Sequence, residues 1–186
     1  MDADPELSIV TSSATVTITT TATASPTCTQ LVTNPSFDTG SIYPWINAFD
    51  NPGASLTIVA SSDIPGGAHS GPFAGAIIFD QTFPSNGLPT DANQVINIPQ
   101  LCSASQSYIF QAFIKTAANT CYVNFYDASS GVPFIDTLLA AGGANPPWVE
   151  MQIVITPGGG SFQLIFETAC ETLDPVWVDD ITITPF

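Results

Sequence analysis

Basic residues are almost missing from this sequence. Its 186 residues include sixteen Asp and Glu but a single Lys, Lys115, and no Arg, which gives a formal net charge of -15 and a pI near 4.1. Nucleic acids, nucleotide phosphates and anionic membrane surfaces are bound by clusters of Lys and Arg that neutralise phosphate. The shortage of cations therefore excludes these partners and leaves a neutral or cationic one.

Long hydrophobic runs are missing as well. Apolar residues make up 45% of the chain and the mean hydropathy is +0.29, which predicts a folded protein. They come in short runs bounded by Gly, Pro, Asn and Ser, so we expect no membrane insertion. The opening MDADPELSIV lacks the basic and apolar regions of a signal peptide.

Thr and Ser dominate the beginning of the chain. Residues 11–27 read TSSATVTITTTATASPT, a composition with many hydroxyls and little to bury. We interpret residues 1–27 as a linker or stalk and residues 28–186 as one domain. The alternation of Val and Ile with Thr at 16–19 would also suit an edge strand, so that alternative stays open.

Short strand-like segments separated by Gly and Pro turns fill the rest of the sequence. No window keeps a helical period through its Pro and Gly residues. Strands are predicted at 55–61, 73–80, 94–98, 106–115, 121–128, 134–140, 148–156, 161–169 and 176–184. In the fourth of these, alternation assigns four residues to the core: Tyr108, Phe110, Ala112 and Ile114. The pattern predicts an all-β fold of two packed antiparallel sheets.

Two adjacent carboxylates, Asp179 and Asp180, interrupt the last predicted strand. Alternation groups Asp179 with Trp177, Ile181 and Ile183 and so points it inward. A buried carboxylate costs several kcal/mol unless it is paired, hydrogen-bonded or protonated. With no Arg, and with Lys115 expected on the opposite kind of face, the remaining answers are backbone N–H donors, a raised pKa or a metal ion, of which Ca²⁺ suits oxygen ligands best. An exposed pair held by water and turn N–H groups is the alternative.

Four cysteines form an even set without a C-x-x-C pair: Cys28, Cys102, Cys121 and Cys170. In a Thr- and Ser-rich chain poor in Lys, two disulfides in an exported protein are the favoured interpretation. Four buried free thiols in a cytosolic domain are the alternative.

Outward-facing side chains of the predicted strands suit a sugar ligand. Neutral polysaccharides are recognised by aromatic faces and by amide or carboxylate groups, without positive charge. The candidate ligand-binding residues are Gln111, Phe113, Tyr122, Asn124, Tyr126 and Gln163. They would form a groove on one concave sheet if their strands are neighbours. A loop covering Phe113, or ordinary cross-strand packing of the tyrosines, would remove it.

Several motifs together resemble one known family. They are NPSFDTG at 34–40, Pro44-Trp45, IPQLCSASQSYIFQAFIKTA at 98–117, Trp148 at the start of a strand, and WVDDITI at 177–183. As a set they are similar to the carbohydrate-binding modules of the cellulase-C type, in versions found in secreted fungal proteins. The resemblance covers about residues 28–186 and implies a jelly-roll β-sandwich that binds glycans without catalysis.

The resemblance also implies particular residue roles. Modules of this type often hold a structural Ca²⁺ between the opening motif and the last strand, which corresponds to Asp38 and Asp179. The related fungal modules suggest a disulfide between Cys121 and Cys170, which leaves Cys28 to pair with Cys102.

These observations predict an extracellular or cell-wall module that binds a neutral polysaccharide, linked to a catalytic domain or to copies of itself. The alternative is a structural or adhesive wall protein in which the sandwich mediates spacing or self-association. Catalysis is not expected, because His69 is the only histidine and no G-x-S-x-G or comparable motif accompanies it.

Overall fold

The computed structural model describes residues 30–48, 54–79, 90–97, 107–118, 120–128, 130–139, 144–156 and 161–186. For residues 47–48, 90–97 and 161–162 the description covers the backbone. The predicted linker at 1–27, Cys28 and Cys102 lie outside the described residues, so these predictions stay as they are.

Ten strands and one 3-10 helix, Ser61–Asp63, make up the regular structure of those ranges. The strands are β1 Ile46–Ala48, β2 Ala54–Ala60, β3 Phe73–Phe79, β4 Thr90–Asn97, β5 Tyr108–Thr116, β6 Cys121–Asp127, β7 Pro133–Leu139, β8 Val149–Ile155, β9 Ser161–Cys170 and β10 Val176–Pro185. All nine predicted strands are present; β4 begins four residues before the predicted strand at 94–98, and the other ends differ by at most two residues. The sequence prediction missed β1, whose three residues are too few to show alternation.

The strands form two five-stranded sheets. The first sheet has the order β1-β4-β9-β6-β7 and the second has the order β2-β3-β10-β5-β8. Every pairing within them is antiparallel, so the predicted all-β, two-sheet sandwich is confirmed. No helix in the described ranges is both long and apolar enough to cross a membrane.

Aromatic rings fill the space between the two sheets. The ring centroids of Phe110 and Phe125 lie 4.7 Å apart, and those of Phe125 and Phe166 lie 4.9 Å apart. The four residues assigned to the core of β5 are fully buried, which confirms that alternation. Burying each large apolar side chain contributes about 1.5–3 kcal/mol relative to leaving it exposed.

A β-bulge interrupts β10 at Asp180, whose φ is +47°, and the register against β5 shifts between Asp179 and Thr182. The extra residue reverses the alternation, so Val178 and Ile181 both face the inter-sheet core. Asp179 is paired with Phe113 and points to the outer face of the second sheet. The predicted grouping of Asp179 with the inward isoleucines is therefore wrong, because alternation does not anticipate a bulge.

The opening motif lies against this bulge. Ile181, which has no ladder partner on β5, donates its N–H to the carbonyl of Pro35 at 3.0 Å. Leu31 donates its N–H to the carbonyl of Ile183 at 2.9 Å. Phe37 and Trp45 are buried with their ring centroids 5.9 Å apart. The two ends of the domain are thus joined by backbone hydrogen bonds and by shared core packing.

A disulfide joins Cys121 and Cys170, as the resemblance implied. The two residues are in register on β6 and β9, at the start of one strand and the end of the other. The bond closes a loop of sequence separation 49, for which the loop-entropy estimate is about 4 kcal/mol.

Gly75 is expected to be intolerant of a side chain. A Cβ at this position would lie 2.8 Å from Cζ of the buried Phe37. We expect Gly75→Ala to lower the free energy of unfolding by about 1–3 kcal/mol, measured by urea denaturation. In the double variant with Phe37→Leu, a smaller ring-free side chain makes room for the methyl group, so the two losses should be less than additive. Full additivity would contradict this packing.

Candidate functional site

The six predicted ligand-binding residues do not lie together. Gln111 and Phe113 are on β5, in the second sheet, whereas Tyr122, Asn124, Tyr126 and Gln163 are on β6 and β9, in the first sheet. The two groups point away from each other on opposite outer faces of the sandwich. A single groove built from all six is therefore wrong, because consecutive strands β5 and β6 cross from one sheet to the other.

The β2–β3 loop, residues 61–72, covers part of the outer face of the second sheet. The ring of His69 stacks on Phe113 with centroids 3.5 Å apart. Trp148 donates its indole N–H to the carbonyl of Gly67 at 3.1 Å. Ile64 of this loop and Trp177 of β10 are buried against each other in a small second core. Phe113 is thus covered by a loop, as one alternative from the sequence allowed.

Lys115 fastens the same loop to the sheet. Its ammonium group donates a hydrogen bond to the carbonyl of Pro65 and lies 5.5 Å from the ring centroid of Trp148. The residue is 2% exposed, and burial lowers the pKa of its amine. Lys115 therefore lies on the same outer face as Asp179, contrary to the sequence prediction. Since it is the only Lys and there is no Arg, the protein surface exposes neither.

Asp179 is fully buried under this loop and is satisfied by backbone donors. Its Oδ2 accepts the N–H of Ser70 at 3.0 Å, and its Oδ1 accepts the N–H of Asp180 at 2.8 Å. Burial, with the neighbouring charge of Asp180 as a smaller cause, raises the pKa of Asp179 to about 7. The sequence left three ways to stabilise a buried carboxylate at Asp179. Two of them, backbone N–H donors and a raised pKa, are both present.

Asp180, which follows Asp179 in the sequence, binds two side chains of the β2–β3 loop. Asp180 Oδ2 lies 2.7 Å from Nδ1 of His69, and its Oδ1 accepts the hydroxyl of Ser70 at 2.8 Å. A hydrolytic triad needs the hydroxyl to be bonded to the histidine. Here the hydroxyl is bonded to the acid, so the three residues position the loop and do not form a nucleophile with its base.

The outer face of the first sheet carries a different set of side chains. On β6, Tyr122, Asn124 and Tyr126 point outward in succession, and Tyr122 is 48% exposed. Asn124 is in register with Glu167 on β9 and with Asp136 on β7. We call the surface formed by these five residues the platform. It is flanked by Gln163 and Leu138.

Glu167 lies at the centre of the platform and organises it. Its Oε1 accepts an N–H of Asn124 at 2.9 Å, and its Oε2 accepts the hydroxyl of Tyr126 at 3.1 Å. These bonds fix the amide and one ring. The other amide atom, Oδ1 of Asn124, is buried, and no described residue gives it a hydrogen-bond partner. An unpartnered buried acceptor costs about 1–3 kcal/mol of stability.

Glu167 and Asp136 were missed as candidate site residues. Alternation in SFQLIFE already assigned Glu167 to the outward face, and the same rule applied to FIDTLLA separates Asp136 from its inward neighbours. What the sequence lacked was strand order, because only the pairing of β7, β6 and β9 brings these acids beside Asn124.

The same fold occurs in solved carbohydrate-binding proteins. A CBM61 module in complex with β-1,4-galactotriose has a TM-score of 0.65 and 16% identity, over 84% of this chain and 99% of that chain. A family 16 carbohydrate-binding module has a TM-score of 0.51 and 15% identity, over 83% of this chain and 99% of that chain. The chain shares the β-sandwich fold of these two modules. No protein-family model and no curated protein matches its sequence, and the cellulase-C type stays a prediction.

Two further structures place this module fold in larger proteins. CBM22-1 and GH10 modules of Clostridium thermocellum xylanase 10B, complexed with xylohexaose, match over 84% of this chain and 29% of that chain, with a TM-score of 0.51 and 13% identity. The K1 cleaved adhesin domain of Lys-gingipain from Porphyromonas gingivalis matches over 80% of this chain and 95% of that chain, with a TM-score of 0.57 and 15% identity.

The raised pKa of Asp179 predicts a pH-dependent stability in metal-free buffer. Its pKa of about 7 in the folded state exceeds that of an unfolded Asp, about 4, so the folded protein binds more protons between these pH values. The free energy of unfolding should therefore fall as pH rises from about 4 to about 7. Denaturation with chelator present measures this slope.

Two variants assign the slope to one group. Asp179→Asn does not titrate and should flatten the slope, whereas Asp63→Asn, at an exposed acid of the same loop, should leave it unchanged. An identical slope in wild type and Asp179→Asn would show that the buried carboxylate does not keep its proton.

Proposed function

We propose that this module binds a neutral cell-wall polysaccharide on the platform, without catalysis. The observation that carries the proposal is the pair of tyrosines on the outer face of the first sheet, with Tyr122 48% exposed and Tyr126 bonded to Glu167, on either side of Asn124. A sugar ring can contact an aromatic face here while its hydroxyls bond to the carboxylates of the platform. The likeness of fold to carbohydrate-binding modules supports glycan binding in general.

The geometry of β6 fits a chain of sugar rings. Tyr122 and Tyr126 lie on the same face two positions either side of Asn124, which spaces the rings by about 13 Å along the strand. Aromatic faces supply apolar contact, and the central amide supplies direction. Each sugar ring buries little apolar area and must lose water, so a single site is expected to bind weakly.

Export is the second part of the proposal. The disulfide between Cys121 and Cys170 supports an oxidising compartment, because thiols in the cytosol are kept reduced. An extracellular module of this kind would act as an appendage of an enzyme or of a surface protein.

Removing the platform tyrosines should abolish glycan binding without unfolding the protein. Tyr126→Ala and Tyr122→Ala each remove an aromatic contact, and we expect at least a tenfold loss of affinity, corresponding to about 1.4 kcal/mol or more. Pull-down on cellulose, chitin, β-1,3-glucan and xylan identifies the glycan, and titration measures the loss. Tyr43→Ala, at an exposed tyrosine of the opening loop, is the matched control. Retained binding in both platform variants would refute the site.

We also propose that Asp38 and Asp179 hold a structural Ca²⁺. Asp38 lies against Gly71, since a methyl group there would overlap its carboxylate, and Asp179 accepts the N–H of Ser70. The two acids thus contact adjacent residues of one loop. The described residues contain no group of three or more His, Cys, Asp or Glu side chains that could hold a metal, so backbone oxygens would have to complete the coordination.

Chelation tests the ion. If Ca²⁺ joins the opening motif to the β2–β3 loop, EDTA should lower the melting temperature and added Ca²⁺ should restore it, since an ion that binds only the folded state stabilises it. Asp38→Asn should weaken this response. A melting temperature that does not change in saturating chelator would remove the ion from the proposal.

Self-association is the second candidate function, and the sandwich edge favours it. Strands β7 and β8 end the two sheets, and a cleft of about 400 Å³ lies between them, with Leu138, 51% exposed, at its rim. Unpaired strand edges can pair with another chain. Sedimentation with and without Ca²⁺ separates the candidates, because an oligomer that forms regardless of sugar favours adhesion and a monomer retained on an insoluble glucan favours the module.

A further inference from the structure

We propose that residues 14–19 of this chain, ATVTIT, bind along the free edge of β8 as an added strand and cover the cleft between the two sheets. The inference does not rest on the proposed function. The segment lies outside the described residues, and its sequence suits either a linker or an edge strand. The place where it would bind is described, and three of its properties support the proposal: its shape, its free backbone groups and its distance from Gln30.

The cleft lies where the last strands of the two sheets, β7 and β8, face each other. Its volume is about 400 Å³, and its aliphatic lining consists of Ile135 and Leu139 on β7 and Val149 and Met151 on β8. These four residues belong to the main core or pack against it, so the space between the sheets is open at this side. Apolar side chains that bind in the cleft would be removed from water.

The free edge of β8 lacks the features that usually protect an edge strand. Among the described strands β8 pairs with β5 only, in unbroken register from Val149 to Ile155. It contains neither Pro nor Lys, and its adjacent residues Ile153 and Val154 are 36% and 49% exposed. Strand β7, by contrast, begins with Pro133 and carries the exposed Asp136. An edge such as that of β8 accepts a further strand through its unpaired N–H and C=O groups.

The segment has the sequence of such a strand. Ala14, Val16 and Ile18 alternate with threonines, and Val, Ile and Thr all favour strands. In an added strand the apolar side chains would lie over the cleft, while the threonine hydroxyls of the other face stay in water. Residues 11–27 carry no charge, so the acidic domain does not repel them. A second copy would bring its own formal net charge of -15 to the same edge.

The start of the described chain lies level with this edge. Gln30 Oε1 accepts the N–H of Ile183 at 2.7 Å, and Leu31 donates its N–H to the carbonyl of Ile183 at 2.9 Å. Both backbone groups of Ile183 are thus used on the side of β10 that faces away from β5. Ile183 is in register with Phe110 on β5, which is in register with the exposed Ile153 on β8. About four inter-strand spacings, roughly 19 Å, therefore separate Gln30 from a strand added beyond β8.

The connection between the segment and Gln30 is long enough for this distance. Residues 19–29 can span up to about 36 Å when extended. A tether of this length gives the segment an effective concentration on the order of millimolar at the edge. At micromolar protein concentrations the segment of the same chain is therefore favoured over the segment of a second copy.

Hydrogen exchange of the full chain, followed by mass spectrometry, tests the added strand. Val16→Asp combined with Ile18→Asp puts two carboxylates over the cleft and should prevent binding. The amides of β8 that do not pair with β5 should then exchange about tenfold faster, or more, than in the wild type. Thr15→Asp combined with Thr17→Asp adds the same charge on the opposite face of the segment and should leave this exchange unchanged. The amides of β3 serve as the internal reference.

Three results would overturn the inference. The first is equal exchange of β8 in the wild type and in Val16→Asp with Ile18→Asp. The second is equal acceleration in both double variants, which would indicate a general effect of charge. The third comes from sedimentation at several protein concentrations, where we expect a monomer. A wild-type dimer that Val16→Asp with Ile18→Asp dissociates would show that the segment binds a second copy, which would favour self-association instead.

Discussion

Backbone N–H groups, rather than a Lys or Arg side chain, hold the buried carboxylate of Asp179, and the rest of the architecture depends on that arrangement. Both donors exist because of local backbone geometry. The bulge at Asp180 turns one N–H toward the carboxylate, and the β2–β3 loop brings the N–H of Ser70 to its other oxygen. A fully buried charge without donors would cost several kcal/mol. The same bulge frees Ile181 to bond the opening motif, so one irregularity joins the loop, the last strand and the start of the domain.

The scarcity of cations shapes both outer faces of the sandwich. The one Lys is used to fasten the β2–β3 loop, with its amine bonded to the carbonyl of Pro65 beneath Trp148. That loop closes part of the outer face of the second sheet. No described loop covers Tyr122 and Asp136 on the first sheet, and both side chains are exposed. In the proposed function, the structural role and the binding role therefore lie on opposite faces of one sandwich.

The sequence predicts some levels of this structure and not others. Alternation in β5 assigns Tyr108 and Phe110 to the core correctly, because half-buried strands carry a period of two. It fails at Asp179, where one residue with positive φ reverses the faces without leaving a mark in the hydrophobic pattern. It also cannot say which sheet an outward residue belongs to. Phe113 and Tyr122 both point outward, yet the step from β5 to β6 places them on opposite faces of the molecule.

The core beneath the platform fixes the positions of the platform residues. Strands β6 and β9 present Phe125 and Phe166 inward as a stacked pair and are bonded covalently at Cys121 and Cys170. The outward residues of the same two strands are the amide and the carboxylate that bond to each other across the sheet. Their positions are therefore set before any ligand arrives, so binding has little side-chain ordering to offset. For a weak ligand such as a sugar this matters, because each ring touches the protein at only a few atoms. In the proposed site, the fold would contribute to recognition by fixing Asn124 and Glu167 before a sugar binds.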